Sequence, residues 1–275
     1  LLCLTRRYNS KLRSLLQRHK SYIIPSKPLA GVIIWWVGSE TTAIPVSWIP
    51  AHFSLQAFQE VLQAGDLPRW YFNSIITTVV ITVLTVFLAS MAAYAFSRVP
   101  FRGRRIAFWL LLAGIMIPQP ILIIPLFSVI QSFGMVNSYW GIILPQLASP
   151  IAVFVFKQFF DGLPHELEDA AIVDGASRWR VYWQIWMPLS KPAIAAIAVF
   201  TFVAAWNNFV WPFIAITSTE MMTLPVGLAT VQTSYGVHYA QIMATAVLGG
   251  LPTLIAFLFF QRQIVQGFAS AGLKE

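Results

Sequence analysis

Long stretches without one charged side chain decide what this chain can fold into. No Asp, Glu, Lys or Arg lies between Arg105 and Lys157, and Trp70–Ser97, Pro192–Thr219 and Met221–Gln261 are equally free of them. A helix needs about 20 apolar residues to cross a hydrocarbon core roughly 30 Å thick. Each stretch can hold one crossing, and the longest can hold two. Only 10% of the residues are charged and 57% are hydrophobic, whereas soluble domains carry about a quarter charged residues. Such a chain cannot build a water-soluble surface without large apolar patches. The expected fold class is all-α, a polytopic membrane helical bundle.

Spans are expected near 22–38, 71–96, 106–130, 140–160, 192–215 and 241–261. The first is the shortest, with Pro25 and Pro28 on its approach, and charge asymmetry argues for it. Segments on the cytoplasmic side collect Lys and Arg. Every Lys and Arg except Arg69 falls in one of four places: the arm before Pro28, the segment Arg98–Arg105, the segment Lys157–Lys191, and the tail after Gln261. Glu40, Glu60, Asp66 and Glu220 fall with Arg69 on the other side. Both termini are then cytoplasmic, which requires an even number of crossings, and six fits. The expected organisation is a cytoplasmic arm 1–21, a transmembrane domain 22–262 and a cytoplasmic tail 263–275, in an inner (plasma) membrane. Pro118, Pro120 and Pro125 should kink or break the third span. No cleavable signal peptide is expected, because no compact apolar region with a small-residue cleavage site follows the basic start. The single cysteine, Cys3, leaves no disulfide framework or multi-cysteine metal site within one chain.

The segment 161–191 carries the most information. Asp161 is expected to cap a short helix, Pro164 suits its first turn, and Glu166, Glu168 and Asp169 favour the positive end of its dipole. Ala170 and Ala171 give it a slim face, and Asp174-Gly175 should close it through a left-handed residue. Ser177 should start a second helix. Trp179, Tyr182, Trp183 and Trp186 recur on it at i, i+3, i+4 and i+7, as a helix lying at the membrane interface requires.

This segment resembles the EAA loop of binding-protein-dependent ABC importer permeases. Asp169-Ala170-Ala171, then Asp174-Gly175-Ala176, then Ile185 and Pro188 carry the likeness, with Asp169 where Glu is usual and Met187 where Leu is usual. Ser47–Phe58, Asn73-Ser74, Ala92–Arg98, Trp206–Pro212, Thr223–Ala229 and Gln261–Glu275 are similar to the carbohydrate branch, in the position of the second, maltose-type permease. The resemblance implies that Glu168, Asp169, Ala170, Ala171, Asp174, Gly175 and Ala176 couple to an ATPase subunit. It also implies a second permease, two ATPase subunits carrying ATP and Mg, and an extracytoplasmic solute-binding protein. This chain itself would hold no cofactor.

Trp206, Asn207 and Asn208 fall inside the fifth span, where amides are costly unless paired. They are read either as interhelical hydrogen-bonding groups or as a polar patch on the sugar pathway. Gln119, Gln146 and Tyr94 are candidates of the same kind. The four histidines, His19, His52, His165 and His238, lie outside the spans and are expected to be solvated or interfacial rather than ligands. The basic arm is explained by topology and anionic lipid rather than by nucleic acid.

Rival functions fare worse. An intramembrane protease needs a Ser–His pair or two Asp residues at membrane depth, and no span contains His or Asp. Ion-coupled transporters carry ionisable groups within their spans; these have none, although a sodium site of carbonyls stays open. With no G-x-x-x-x-G-K-[ST] run, the chain has no P-loop and should not be an enzyme. The reading is an importer permease for a sugar, with a non-sugar solute or an ion-coupled transporter as alternatives.

Overall fold

The computed structural model describes residues 55–63, 66–234 and 240–255. The expected span 22–38, the arm 1–21 and the tail 263–275 lie outside them. Among the described residues every regular element is helical. The described residues divide into two compact units, one holding 55–63, 230–234 and 240–248, the other 66–229 and 249–255. In the smaller unit the helix α1 (Gln56–Gln63) carries Glu60, whose carboxylate accepts hydrogen bonds from Gln56 (2.9 Å) and Gln241 (2.8 Å).

The larger unit is organised around α2 (Leu67–Arg98), the one described helix that is long and apolar enough to cross a membrane unaided. It contains the expected span 71–96. Three further pairs of helices, each bent at a break, are long and apolar enough to cross only if the two members of a pair are taken together. The first pair, α3 (Arg104–Ala113, extended by a 3-10 turn to Met116) and α4 (Gln119–Ser132), turns through 105°. The cause is Pro118. The residue before a proline is driven out of the helical region, and Ile117 is extended, with ψ 115°. Pro125, by contrast, stays inside α4 without ending it.

The second pair is α5 (Tyr139–Ile143, with a 3-10 turn to Gln146) and α6 (Pro150–Asp161), bent by 48°. Ser149 caps α6 by accepting from the Ala152 amide at 3.3 Å. The loop between α6 and the last pair holds a short helix, α7 (Glu166–Val173). The last pair, α8 (Arg178–Leu189) and α9 (Lys191–Trp206), bends by 77° at Ser190. The expected fifth span therefore ends early. Helix α9 stops at Trp206, and α10 (Val210–Ala215) begins after the Asn207–Phe209 break. Helices α11 (Leu224–Ser234) and α12 (Ala240–Ile255) follow; α12 covers the described part of the span expected at 241–261.

Helix α2 packs along α6 and α9. Ala89, Ala93, Ala152 and Ala193 are buried together in this core. Small residues let helix backbones approach where lipid gives no hydrophobic reward for association. Toward the Arg98 end the core turns aromatic, with Tyr94, Phe156, Phe160, Tyr182 and Trp186 in one cluster.

The Leu67 end of α2 is fastened differently. Asn73 is buried, and its amide donates to the Glu220 and Met222 carbonyls, both at 2.9 Å, while its Oδ1 accepts from the Tyr139 hydroxyl at 2.7 Å. Trp70 Nε1 donates to the Thr219 carbonyl (3.0 Å), Ser74 Oγ accepts from the Leu224 amide (2.7 Å), and Arg69 pairs with Glu220 at 3.0 Å. A Cβ added to Gly227 would overlap the Trp70 ring, so that indole lies directly on the backbone of α11. The segment Ile216–Thr223 is thereby stitched to the first two turns of α2.

Candidate functional site

Helix α7 is short, and an isolated helix of its length would not form in water. Its C-terminus is closed by two backbone bonds, from the Gly175 amide to the Ile172 carbonyl (3.0 Å) and from the Ala176 amide to the Ala171 carbonyl (2.9 Å). These are the two bonds of a Schellman cap, which needs a left-handed residue at the turn. Gly175 supplies it with φ +80°. Ser177 then caps α8 by accepting from the Arg180 amide at 3.3 Å. Both features agree with what Asp174-Gly175 and Ser177 led one to expect.

The N-terminal expectation needs correcting. Asp161 is the last residue of α6, and its carboxylate accepts from Ser97 Oγ (2.6 Å) and Lys157 Nζ (2.5 Å). Lys157 sits one turn earlier on the same helix, and this pairing keeps Asp161 on α6. Helix α7 begins instead after His165, which makes no side-chain cap.

The loop residues divide by direction. Asp169, Ala170, Asp174 and Gly175 are exposed, and Val173 is 86% exposed. Glu168, expected on the partner-facing side, is only 6% exposed and turns inward, where its Oε1 accepts from the Tyr94 hydroxyl at 3.2 Å. Ala171 and Ala176 are half-buried and pack on the aromatic cluster of this same chain. A helix lying on a protein surface must bury one side, and here that side takes Glu168 and Ala171. The outward face keeps Asp169, Ala170, Val173 and Asp174.

The aromatic stripe of α8 splits in the same way. Tyr182 and Trp186 are buried, Tyr182 sharing a 2.8 Å hydrogen bond with Ser90 Oγ on α2. Trp179 and Trp183 remain exposed. Residues 182–186 form a π-helical turn. The stripe is therefore half core, rather than one continuous interfacial face.

The residues considered for a substrate path scatter. Trp206 is buried, with Nε1 donating to the Gly249 carbonyl at 3.1 Å and its ring stacked on Phe202. Asn207 is exposed and donates to the Val203 carbonyl of its own helix at 2.8 Å. Asn208 and Gln146 are brought together, Nδ2 donating to Oε1 at 2.7 Å, and Asn208 Oδ1 also accepts from the Trp211 amide. Gln119 is exposed at the start of α4. Tyr94 departs most from expectation. It is buried in the aromatic cluster against Tyr182, Trp186 and Phe160, next to α7.

Sequence reasoning missed Arg98. This last residue of α2 is 8% exposed. Its Nη2 donates to the Phe160 carbonyl and, at 2.9 Å, to the Leu163 carbonyl; its Nη1 meets His165 Nδ1; and its guanidinium carbon lies 4.2 Å from the Trp186 ring centre. The available signal was its place, the first charge after a 28-residue apolar stretch, but topology already accounted for a positive charge there. Among the described residues no group of three or more His, Cys, Asp or Glu could hold a metal ion.

A helical bundle that anchors one capped helix in the loop after α6 and presents its far side outward has the form of an integral-membrane subunit with a docking element. Residues 85–268 match the family described as binding-protein-dependent transport system inner membrane component. The chain belongs to that family. It is 40% identical over 226 residues to the arabinooligosaccharides transport system permease protein AraQ of Halalkalibacterium halodurans, covering 82% of this chain and 81% of that protein. It is 33% identical over 252 residues to the trehalose/maltose transport system permease protein MalG of Thermococcus litoralis, covering 90% and 91%. The fold matches a solved chain of a bacterial ABC transporter involved in the import of the acidic polysaccharide alginate, with a TM-score of 0.74 at 22% identity over 94% of this chain and 96% of that one.

Proposed function

We propose that this chain is one permease half of an ATP-driven importer that moves an oligosaccharide into the cytoplasm by alternating access. The observation that carries this reading is α7: a helix whose inner side is fixed to the bundle and whose outer side offers Asp169, Ala170, Val173 and Asp174. Such a surface suits a groove in a separate ATPase subunit, and a rigid helix held by a moving partner can rock the bundle between two states. The relatives that carry arabinooligosaccharides and trehalose or maltose support a sugar as cargo.

In this reading ATP and Mg bind two ATPase subunits, and the second permease is a different chain. Both termini and the loop 161–191 face the cytoplasm. The stitched segment Ile216–Thr223 lies outside, where an extracytoplasmic binding protein docks. Asn208 in the break after α9 and Gln146 in the 3-10 turn after α5, already paired with each other, are the groups nearest to a polar patch within the bundle, and they would exchange this mutual bond for hydroxyls of the passing solute.

The test is reconstitution. The purified chain should hydrolyse no ATP, and hydrolysis should appear when the ATPase subunit is added. Turnover by the isolated chain, free of contaminant, removes the reading. A second reading, a glycerol phosphate as cargo, rests on 34% identity over 236 residues to the sn-glycerol-3-phosphate transport system permease protein UgpE of Yersinia enterocolitica. Thermal shifts of the cognate binding protein with maltose, arabinotriose and glycerol 3-phosphate separate the two.

A further inference from the structure

Arg98 touches three separate pieces of chain. The Phe160 carbonyl lies in the last turn of α6, Leu163 and His165 lead into α7, and Trp186 belongs to α8. Four residues earlier on α2, Tyr94 reaches Glu168 inside α7. Two neighbouring turns of one long helix thus grip the start and the first turn of the short one. The grip also leaves two atoms unmatched. Among the described residues, Arg98 Nε and Glu168 Oε2 are both buried without a hydrogen-bond partner, one a donor on a cation and the other an acceptor on an anion.

Buried charged groups are stable only when paired and hydrogen-bonded. One free donor and one free acceptor of opposite charge, on two elements already in contact, therefore make an arrangement that a small displacement of α7 can improve. We infer that Arg98 and Glu168 are the positioning residues that deliver a displacement of α7 to α2, held now through the loop carbonyls and Tyr94, and closing into a direct ion pair when α7 moves. This rests on the proposal that α7 docks an ATPase subunit. Lysine cannot replace Arg98 in this role. It lacks the planar fork that spans two carbonyls and a ring nitrogen while lying over an indole.

The experiment uses the complete complex of both permeases and both ATPase subunits in lipid nanodiscs. Spin labels are placed at Phe72→Cys on α2 and Ile124→Cys on α4, both exposed positions, in a Cys3→Ser background. Electron-spin distance measurements are made without nucleotide and with ATP and vanadate. The distance distribution should shift in the parent complex. The shift should be lost in Arg98→Lys, and also in Glu168→Gln, which keeps the acceptor for Tyr94 and the side-chain shape, while both variants retain bound ATPase subunits and hydrolyse ATP. No shift in the parent complex overturns the inference, as does an unaltered shift in both variants. Loss of the ATPase subunits from both variants overturns it too, because the pair would then merely shape the docking surface. Val173→Asp, on the outer face of α7, reports separately on the docking itself. If that variant keeps its ATPase subunits, the functional proposal fails and this inference falls with it. If it releases them while the Arg98 and Glu168 variants still shift, only the inference fails.

Discussion

Substitutions at Gly175 can separate backbone geometry from side-chain contact at the end of α7. Gly175 has φ +80°, and a Cβ built there would meet nothing within 4 Å among the described residues. The cost of a side chain is therefore conformational rather than steric. A left-handed residue other than glycine costs about 1–2 kcal/mol, and asparagine less than alanine or valine. That energy lowers the population of the closed cap by roughly 5- to 30-fold. With the cap open, the Ala171 and Ile172 carbonyls lose their partners and the last turn of α7 frays. Gly175→Val should therefore cut transport strongly, Gly175→Ala moderately and Gly175→Asn least, with membrane expression unchanged in all three because the position is exposed. The assay is uptake in cells of the binding-protein ligand identified by thermal shift, together with co-purification of the ATPase subunit, each normalised to the amount of chain in the membrane. Equal activity in all three variants would refute the argument from the cap. Loss in Gly175→Asn as deep as in Gly175→Val would also refute it, since contact with a partner rather than backbone shape would then be decisive.

Other outcomes follow from contacts elsewhere. Gly141→Ala should reduce the folded yield sharply, because the new Cβ would overlap the Met135 carbonyl oxygen; accumulation in detergent extracts measures it. Asn73→Ala leaves the Glu220 and Met222 carbonyls and the Tyr139 hydroxyl without their shared partner, at about 1–3 kcal/mol for each group left buried and unsatisfied. Protease cutting within Ile216–Thr223 should rise in that variant, and wild-type resistance would show that the stitch is dispensable. Reporter fusions should place residues 161–191 inside and 217–239 outside, and an external signal near Asp174 would contradict docking to an ATPase.

The parts legible in the sequence were those set by local chemistry or by the lipid. The span expected at 71–96 falls within α2 because a charge-free run in hydrocarbon has few other options. The break at Ile117-Pro118, the left-handed Gly175 and the cap at Ser177 are likewise decided by one or two residues. The direction of the α7 side chains was not legible. That helix has exposed Leu167, Ile172 and Val173 alongside buried Glu168, so its apolar pattern does not mark the buried side. Within the bundle, lipid-facing and core-facing positions are both apolar, and periodicity loses its contrast. Hence Tyr94 could be placed in a span but not on a side of it. Arg98 and Asp161 are claimed by tertiary contacts that no local pattern encodes.

The two ends of α2 constrain its helical phase. Asn73 must point at the Ile216–Thr223 segment and Arg98 at the turn before α7. Successive residues of an α-helix are rotated by about 100°, at 3.6 per turn. Deleting one apolar residue between them would leave a span still long enough for a bilayer, yet it would swing one of these side chains about a quarter-turn or more off its target. Apolar residues can be exchanged for one another along that stretch, but their number cannot change without cutting one fastening loose. Tolerance in α2 is therefore counted in residues rather than in hydrophobicity, and a one-residue deletion should be worse for this chain than several conservative substitutions together.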